Sequence, residues 1–342
     1  MAVAAGALRF NSDSLKMELY DGNQWVEIIA SSPDSQTGGA RGVIAAGYAP
    51  GLTNTINYIT VSTTGNAIDF GDLTQARANG TSGYSSSTRG IFGCGQANPG
   101  TAQSSNVLDY ITISSTGNAT DFGDATIFSE GYTGLSNSTR GIAGGGFHRS
   151  PGAGVYINTL DYVTIASTGN AVDFGDRTGI NGFSPTAASS TRGVFGPGNG
   201  TPSVIDFITI STLGNAARFG DPTDTRYQIG SGISSNAIRG VFGGGEDYAP
   251  GTKMNLIDYI TIASLGNAID FGDMTVARSD AACASSSTRV AFAGGTGAAP
   301  TYTILNVIDY VTIMSTGNAV DFGDLITATS TAAGLSNGHG GL

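Results

Sequence analysis

Short apolar stretches separated by glycine-rich reversals run through the chain from about residue 38 to its end. Leu160-Asp-Tyr-Val-Thr-Ile165 carries apolar residues on both faces, as do the stretches holding Tyr110, Ile111 and Ile113 or Tyr259, Ile260 and Ile262. A strand of that kind must be covered on both sides. Around it the order is constant. Gly134–Asn137, a Ser-Thr-Arg-Gly reversal, Gly141–Gly145, a variable stretch, Leu160–Ile165, a Ser-Thr-Gly-Asn reversal and Ala171–Asp176 follow one another. This predicts four short strands, a to d, joined by tight turns between a and b and between c and d. Strand d brings one Phe per unit, at Phe70, Phe122, Phe174, Phe219, Phe271 and Phe322. Burying each favours folding by roughly 2–3 kcal/mol before chain entropy is counted.

The phrase Gly-Asn-Ala-x-x-Phe-Gly-Asp begins at Gly65, Gly117, Gly169, Gly214, Gly266 and Gly317, in steps of 52, 52, 45, 52 and 51 residues. A β-rich unit repeating about every fifty residues is the mark of a β-propeller. The expected fold is therefore all-β: a six-bladed β-propeller of four-stranded antiparallel blades over 31–342, preceded by a short N-terminal β-hairpin or meander over 1–30. Gly334-Leu-Ser-Asn echoes Gly134-Leu-Ser-Asn, so the last residues read as a strand a that completes the first blade, which begins near Arg41. Such pairing removes open sheet edges.

Composition narrows the function. With a net charge of −11, only 12% charged residues and no basic run, the chain is not expected to bind nucleic acid. Its 53 glycines suit the many reversals. Cys94 and Cys283 occupy different positions in their repeats, so no disulfide is expected. Residues 1–10 lack the pattern of a secretory signal, and no stretch reaches a membrane span. His148 and His339 are the only histidines and neither has a partner at metal-ligand spacing. Asp-Phe-Gly recurs as a strand pattern without the other kinase motifs. No catalytic residue, metal site or cofactor is expected, although calcium at a turn stays open. Arg41, Arg89, Arg140, Arg192, Arg239 and Arg289 recur beside the a–b turn, and an inter-blade ladder to Asp69, Asp121, Asp173, Asp270 and Asp321 is expected, interrupted by Arg218.

The a–b and c–d turns barely change among units, whereas the b–c segments differ in length and content. One face is thus expected to be structural and the other individual, where recognition is normally built. Tyr48, Phe147, His148, Arg149, Tyr156, Tyr248 and Tyr302 in those loops are the candidates for receptor contact, since aromatic and Arg side chains dominate contact energy.

The order of a Gly-Gly-ended strand, a variable loop, a Tyr-bearing strand, a Thr-Gly-Asn turn and an aromatic strand resembles kelch repeats, with Phe where kelch carries Trp. Gly6-Ala-Leu-Arg-Phe-Asn-Ser through Tyr20-Asp-Gly-Asn-Gln-Trp25 resembles a segment of tail and fibre proteins of tailed bacteriophages. The Thr-Gly-Asn-Ala-x-Asp-Phe-Gly-Asp repeat is similar to repeats in phage structural proteins, notably of cyanobacterial viruses. The resemblance implies a non-enzymatic virion structural protein (tail fibre, tail-tip or head-decoration protein) on the particle surface. Leu8, Phe10, Leu19, Tyr20 and Trp25, with Met17, would anchor it to other virion subunits or to a second copy, the competing reading being packing on its own propeller. The loop face would meet a host surface glycan or protein. A secreted or surface lectin-like propeller is the alternative.

Overall fold

A computed structural model describes residues 4–11, 16–27, 39–98, 103–150, 153–247 and 251–342. The described residues form strands and turns without a helix, and the chain divides into two compact units, Met1–Thr37 and Gly38–Leu342.

The first unit is a three-stranded antiparallel meander of Leu8–Asn11, Lys16–Tyr20 and Trp25–Glu27, with Leu8 opposite Leu19 and Tyr20 opposite Trp25. Its second turn is closed by Asp21, whose Oδ1 accepts from the N–H groups of Asn23 and Gln24, both at 2.8 Å. The Tyr20 and Trp25 rings lie 5.3 Å apart, and the Arg9 guanidinium stacks 4.3 Å from the Trp25 ring centre. Leu8 and Phe10 each remain 60% exposed. So few residues cannot cover their own apolar side chains.

The second unit repeats one antiparallel sheet in the strand order a-b-c-d. In the third repeat the strands are Thr133–Ser136, Arg140–Gly144, Thr159–Thr164 and Val172–Asp176. Five of the six repeats show all four strands among the described residues. The fifth shows three, Arg239–Gly243, Leu256–Thr261 and Ile269–Asp273. Its inner segment instead bridges sideways, Ile233 to Thr186 and Ser231 to Ala282, and meets its own strand b around a single bridge, Ser235 to Gly240. The first sheet receives its strand a from the chain's end: Ala333–Ser336 pairs with Arg41–Ala45, Ala333 opposite Ala45.

The repeated phrase is an interface between neighbouring sheets. In the second repeat, Gly117 N–H donates to Phe70 O and Ala119 N–H to Asp72 O, both at 2.7 Å, while Asn118 Oδ1 accepts from Asp72 N–H at 3.1 Å. Gly-Asn-Ala of one repeat therefore clasps Phe-Gly-Asp of the preceding one. The same three bonds recur at every joint. They include Gly65 and Ala67 of the first repeat on Phe322 and Asp324 of the sixth, so the succession of neighbours returns to its start. Within strand d the Phe is a bulge: Leu108 faces Gly123 and Asp109 faces Asp121, leaving Phe122 unpaired and turned into the core at 2% exposure. The hydrophobic clusters lie between sheets. Phe70, Val43 and Leu73 of the first repeat, for example, pack with Phe92, Ile111 and Ile113 of the second.

The a–b arginines form a ladder, but not to the expected aspartates, which are exposed. Arg41, Arg89, Arg140, Arg192 and Arg239 each donate from Nη1 to the carbonyl closing strand c of the next repeat, at 2.7–3.0 Å. Arg289 donates to Ser62 O at 2.9 Å. Each guanidinium also lies 4.0–4.7 Å from the strand c aromatic of its own repeat, from Tyr58 to Tyr310. That ring in turn meets the strand d Phe edge-on. A carbonyl accepts as well as a carboxylate here, and stacking on an aromatic face adds roughly 0.5–2 kcal/mol.

A different Arg–Asp set is buried. Arg77–Asp109 (2.7 Å), Arg177–Asp206 (2.9 Å), Arg226–Asp258 (2.9 Å) and Arg278–Asp309 (3.2 Å) join successive repeats. Burial pulls the Arg77 and Arg278 guanidinium groups below their usual pKa, opposed by the paired carboxylates. Between the second and third repeats Ser129 stands at the Arg position, and Asp161 instead accepts from Tyr132 Oη at 2.8 Å and Thr126 Oγ1 at 2.6 Å. Both cysteines are free and buried, and burial pushes the Cys283 thiol up to about 12.

Candidate functional site

One position in the connection from strand d to the next strand a has the same left-handed backbone in every repeat. These residues are Asn79, Gly131, Phe183, Gln228, Asp280 and Thr331, with φ between 53° and 64°. Only one is glycine, and each of the others costs on the order of 1 kcal/mol or more. Backbone bonds between repeats hold the conformation: Gly131 N–H donates to Asn79 O (2.8 Å), Phe183 to Gly131 (2.9 Å), Asp280 to Gln228 (2.8 Å) and Thr331 to Asp280 (3.1 Å). Gln228 N–H turns to Asn199 Oδ1 and Asn79 N–H to Thr331 Oγ1, both at 3.1 Å, so the backbone succession breaks at these two steps.

All of these residues but Gly131 rim a mouth of about 300 Å³, completed by Glu130, Phe147, Arg149 and Tyr156. Phe147–Ser150 and Ala153–Tyr156 form a hairpin in the third repeat's b–c segment. Its Phe147 and Tyr156 rings are 5.0 Å apart, edge to face. Strand Phe147–Ser150 is tied to the rim through Glu130, whose N–H donates to Phe147 O at 2.9 Å. Arg149 is held by both oxygens of Glu130, at 2.9 and 3.2 Å. The rim is two-sided in order: Gln228, Asp280, Thr331 and Asn79 follow one another as a polar arc, then Phe183 with the aromatic hairpin.

Asp280 is 8% exposed. One of its oxygens accepts from Ser279 Oγ at 2.7 Å, and among the described residues nothing bonds the other. Burial pushes its carboxyl up to about 6. Lys253 Nζ lies behind it, bonded to Ser279 Oγ at 2.8 Å and to Glu246.

The other end of the inner strands is filled. Ser85, Ser136, Ser235, Ser285 and Ser336, with Ala188 at the sixth position, hydrogen-bond across neighbouring inner strands. The C-terminal residues lie among them. His339, 2% exposed, accepts from Gly341 N–H at Nδ1 (3.1 Å), which leaves Nε2 to donate to Ser85 O (3.1 Å). Burial pulls its pKa down to about 4.

Of the residues expected from sequence, Phe147, Arg149 and Tyr156 come together at the mouth. His148 turns away, its Nδ1 2.7 Å from Phe128 O. Tyr48 and Tyr302 are 45% and 52% exposed and line no part of the mouth, and Tyr248 lies outside the described residues. Asn79, Glu130, Phe183, Gln228, Asp280 and Thr331 were not anticipated. Only the common offset of all but Glu130 from the repeated phrase could have pointed to them. Among the described residues no cluster of three or more His, Cys, Asp or Glu side chains could hold a metal ion. The sequence matches no protein-family model and no curated protein.

Proposed function

We propose that Gly38–Leu342 is a six-bladed β-propeller and that the chain is a non-enzymatic virion structural protein, displaying this ring for attachment to a host surface. The observation that carries the reading is the asymmetry between the two ends of the repeated sheets. One end has uniform turns and is filled by His339 and the serines, while the other opens in a mouth rimmed by five different residues of the left-handed series and an aromatic hairpin. A rigid ring that individualises only one face suits display. The N-terminal meander, with Leu8 and Phe10 exposed, supports an anchoring role toward other virion proteins or a second copy.

Mass spectrometry of purified particles, with a competition assay in which the full chain is added to host cells before infection, tests the proposal. The chain is expected in particles and is expected to reduce adsorption, less so when Phe147 and Tyr156 are both Ala. Leu8→Glu with Phe10→Glu is expected to abolish incorporation while sparing cell binding. Absence from particles would overturn the virion role and favour a surface lectin-like propeller, for which the two-sided mouth also speaks.

A further inference from the structure

We infer that the mouth takes one neutral sugar residue, the polar arc bonding its hydroxyls and the aromatic arc covering its C–H face. This rests on reading the mouth as the attachment site. At about 300 Å³ it stands at the small end of ligand sites and holds a ring-sized group, not a folded segment. An extended peptide would need a free sheet edge, whereas here the rim offers side chains: the Gln228 amide, Asn79 Oδ1, Thr331 and the unbonded oxygen of Asp280. That carboxylate has Ser279 Oγ on one oxygen, which leaves the other open to a donor in the mouth. A sugar hydroxyl supplies one. Across from it Phe183 covers Gly131, where an added methyl would lie 2.5 Å from the ring, so the aromatic surface is fixed in place.

Charge selects the class of sugar. Arg149 is neutralised by both oxygens of Glu130, and Lys253 by Glu246, so Asp280 carries the unbalanced charge at the rim. Uronic or sialic acids would face that carboxylate, and neutral hexoses or N-acetylhexosamines would not.

The test is saturation-transfer NMR on the full chain with a panel of neutral hexoses, N-acetylhexosamines, glucuronic acid and sialic acid, each at tens of millimolar. At least one neutral sugar is expected to bind and both acids to fail. Asp280→Asn and Gln228→Ala are each expected to weaken that sugar about tenfold with the melting transition retained. Absence of binding by any neutral sugar to the cooperatively folded chain would overturn the inference, as would binding that neither substitution alters, or tighter binding of the acids. The virion role is read separately: a chain present in particles that binds no sugar sinks only this inference, and a sugar-binding chain absent from particles sinks only that role.

Discussion

Gly71 shows why the repeated phrase tolerates so little change. A methyl on it would lie 2.5 Å from the carbonyl oxygen of Gly117 in the adjoining turn, whereas one on Gly117 meets nothing within 4 Å. Gly71→Ala is therefore expected to cost about 3 kcal/mol in urea unfolding, and Gly117→Ala, which suffers only backbone strain at φ 154°, about 1 kcal/mol. Equal losses would refute the clasp geometry. Arg140→Ala removes a 2.8 Å bond to Ile210 O and the stack on Tyr162, and should lower stability by about 1–3 kcal/mol. Two buried groups give opposite pH dependences. His339, at about 4 when folded against roughly 6.5 unfolded, contributes stability at neutral pH that is lost as pH falls from 6.5 toward 4. Asp280, raised from 3.8 to about 6, contributes below about pH 4, and that contribution is lost as pH rises toward 6. Each is worth on the order of 3 kcal/mol. Relative to wild type, His339→Gln should thus gain stability between pH 7.5 and 4.5, and Asp280→Asn should lose it over the same interval. Parallel urea midpoints for all three proteins at both pH values would contradict the burial of these groups.

At the scale of the sheet, the joints differ in ways that can be exchanged. Where the other repeats place Asp on strand c, the first repeat has Asn57, and the sixth repeat, which meets it, has Thr329 at the Arg position and Ile326 where Thr stands elsewhere. Acid, base and threonine are lost together, which leaves no orphaned charge. Asn57→Asp alone should destabilise by about 3 kcal/mol, and adding Thr329→Arg and Ile326→Thr should restore most of it. A neutral Asn57→Asp would mean that water reaches the joint. The strands themselves were legible, because apolar alternation and a constant phrase set them within about one residue, as Gly134–Asn137 against the observed Thr133–Ser136 shows. The joints were not. Arg77 ends its strand d and Arg226 and Arg278 lie a few residues beyond theirs, where a charged residue reads as solvated, and Arg177 reaches its Asp206 from four residues earlier, which hides the periodicity. The a–b arginines were visible as a series, but a backbone carbonyl partner leaves no residue type to read. The mouth residues share a backbone angle and no chemistry, so composition could not mark them.

At the scale of the whole second unit, the last strand completes the first sheet. Clasps and arginine ladder each pass through all six repeats and return, the step from the sixth repeat to the first joining residues from the chain's two parts, and among the inner serines Ser85 of the second repeat bonds Ser336 of the last strand. Removing Ala333–Leu342 should therefore open the unit, expose Val43 and Leu73, and cost far more than one strand's bonds, measurable as loss of the cooperative transition. The most direct measurement places Cys at Ala45 and at Ala333, which lie opposite each other across this pairing, the native thiols being buried. Under dilute oxidising conditions an intramolecular disulfide is expected in the folded monomer, seen as a cross-linked peptide joining the two strands and a raised melting temperature. Cross-linking only between molecules, or none in the folded chain, would contradict this pairing.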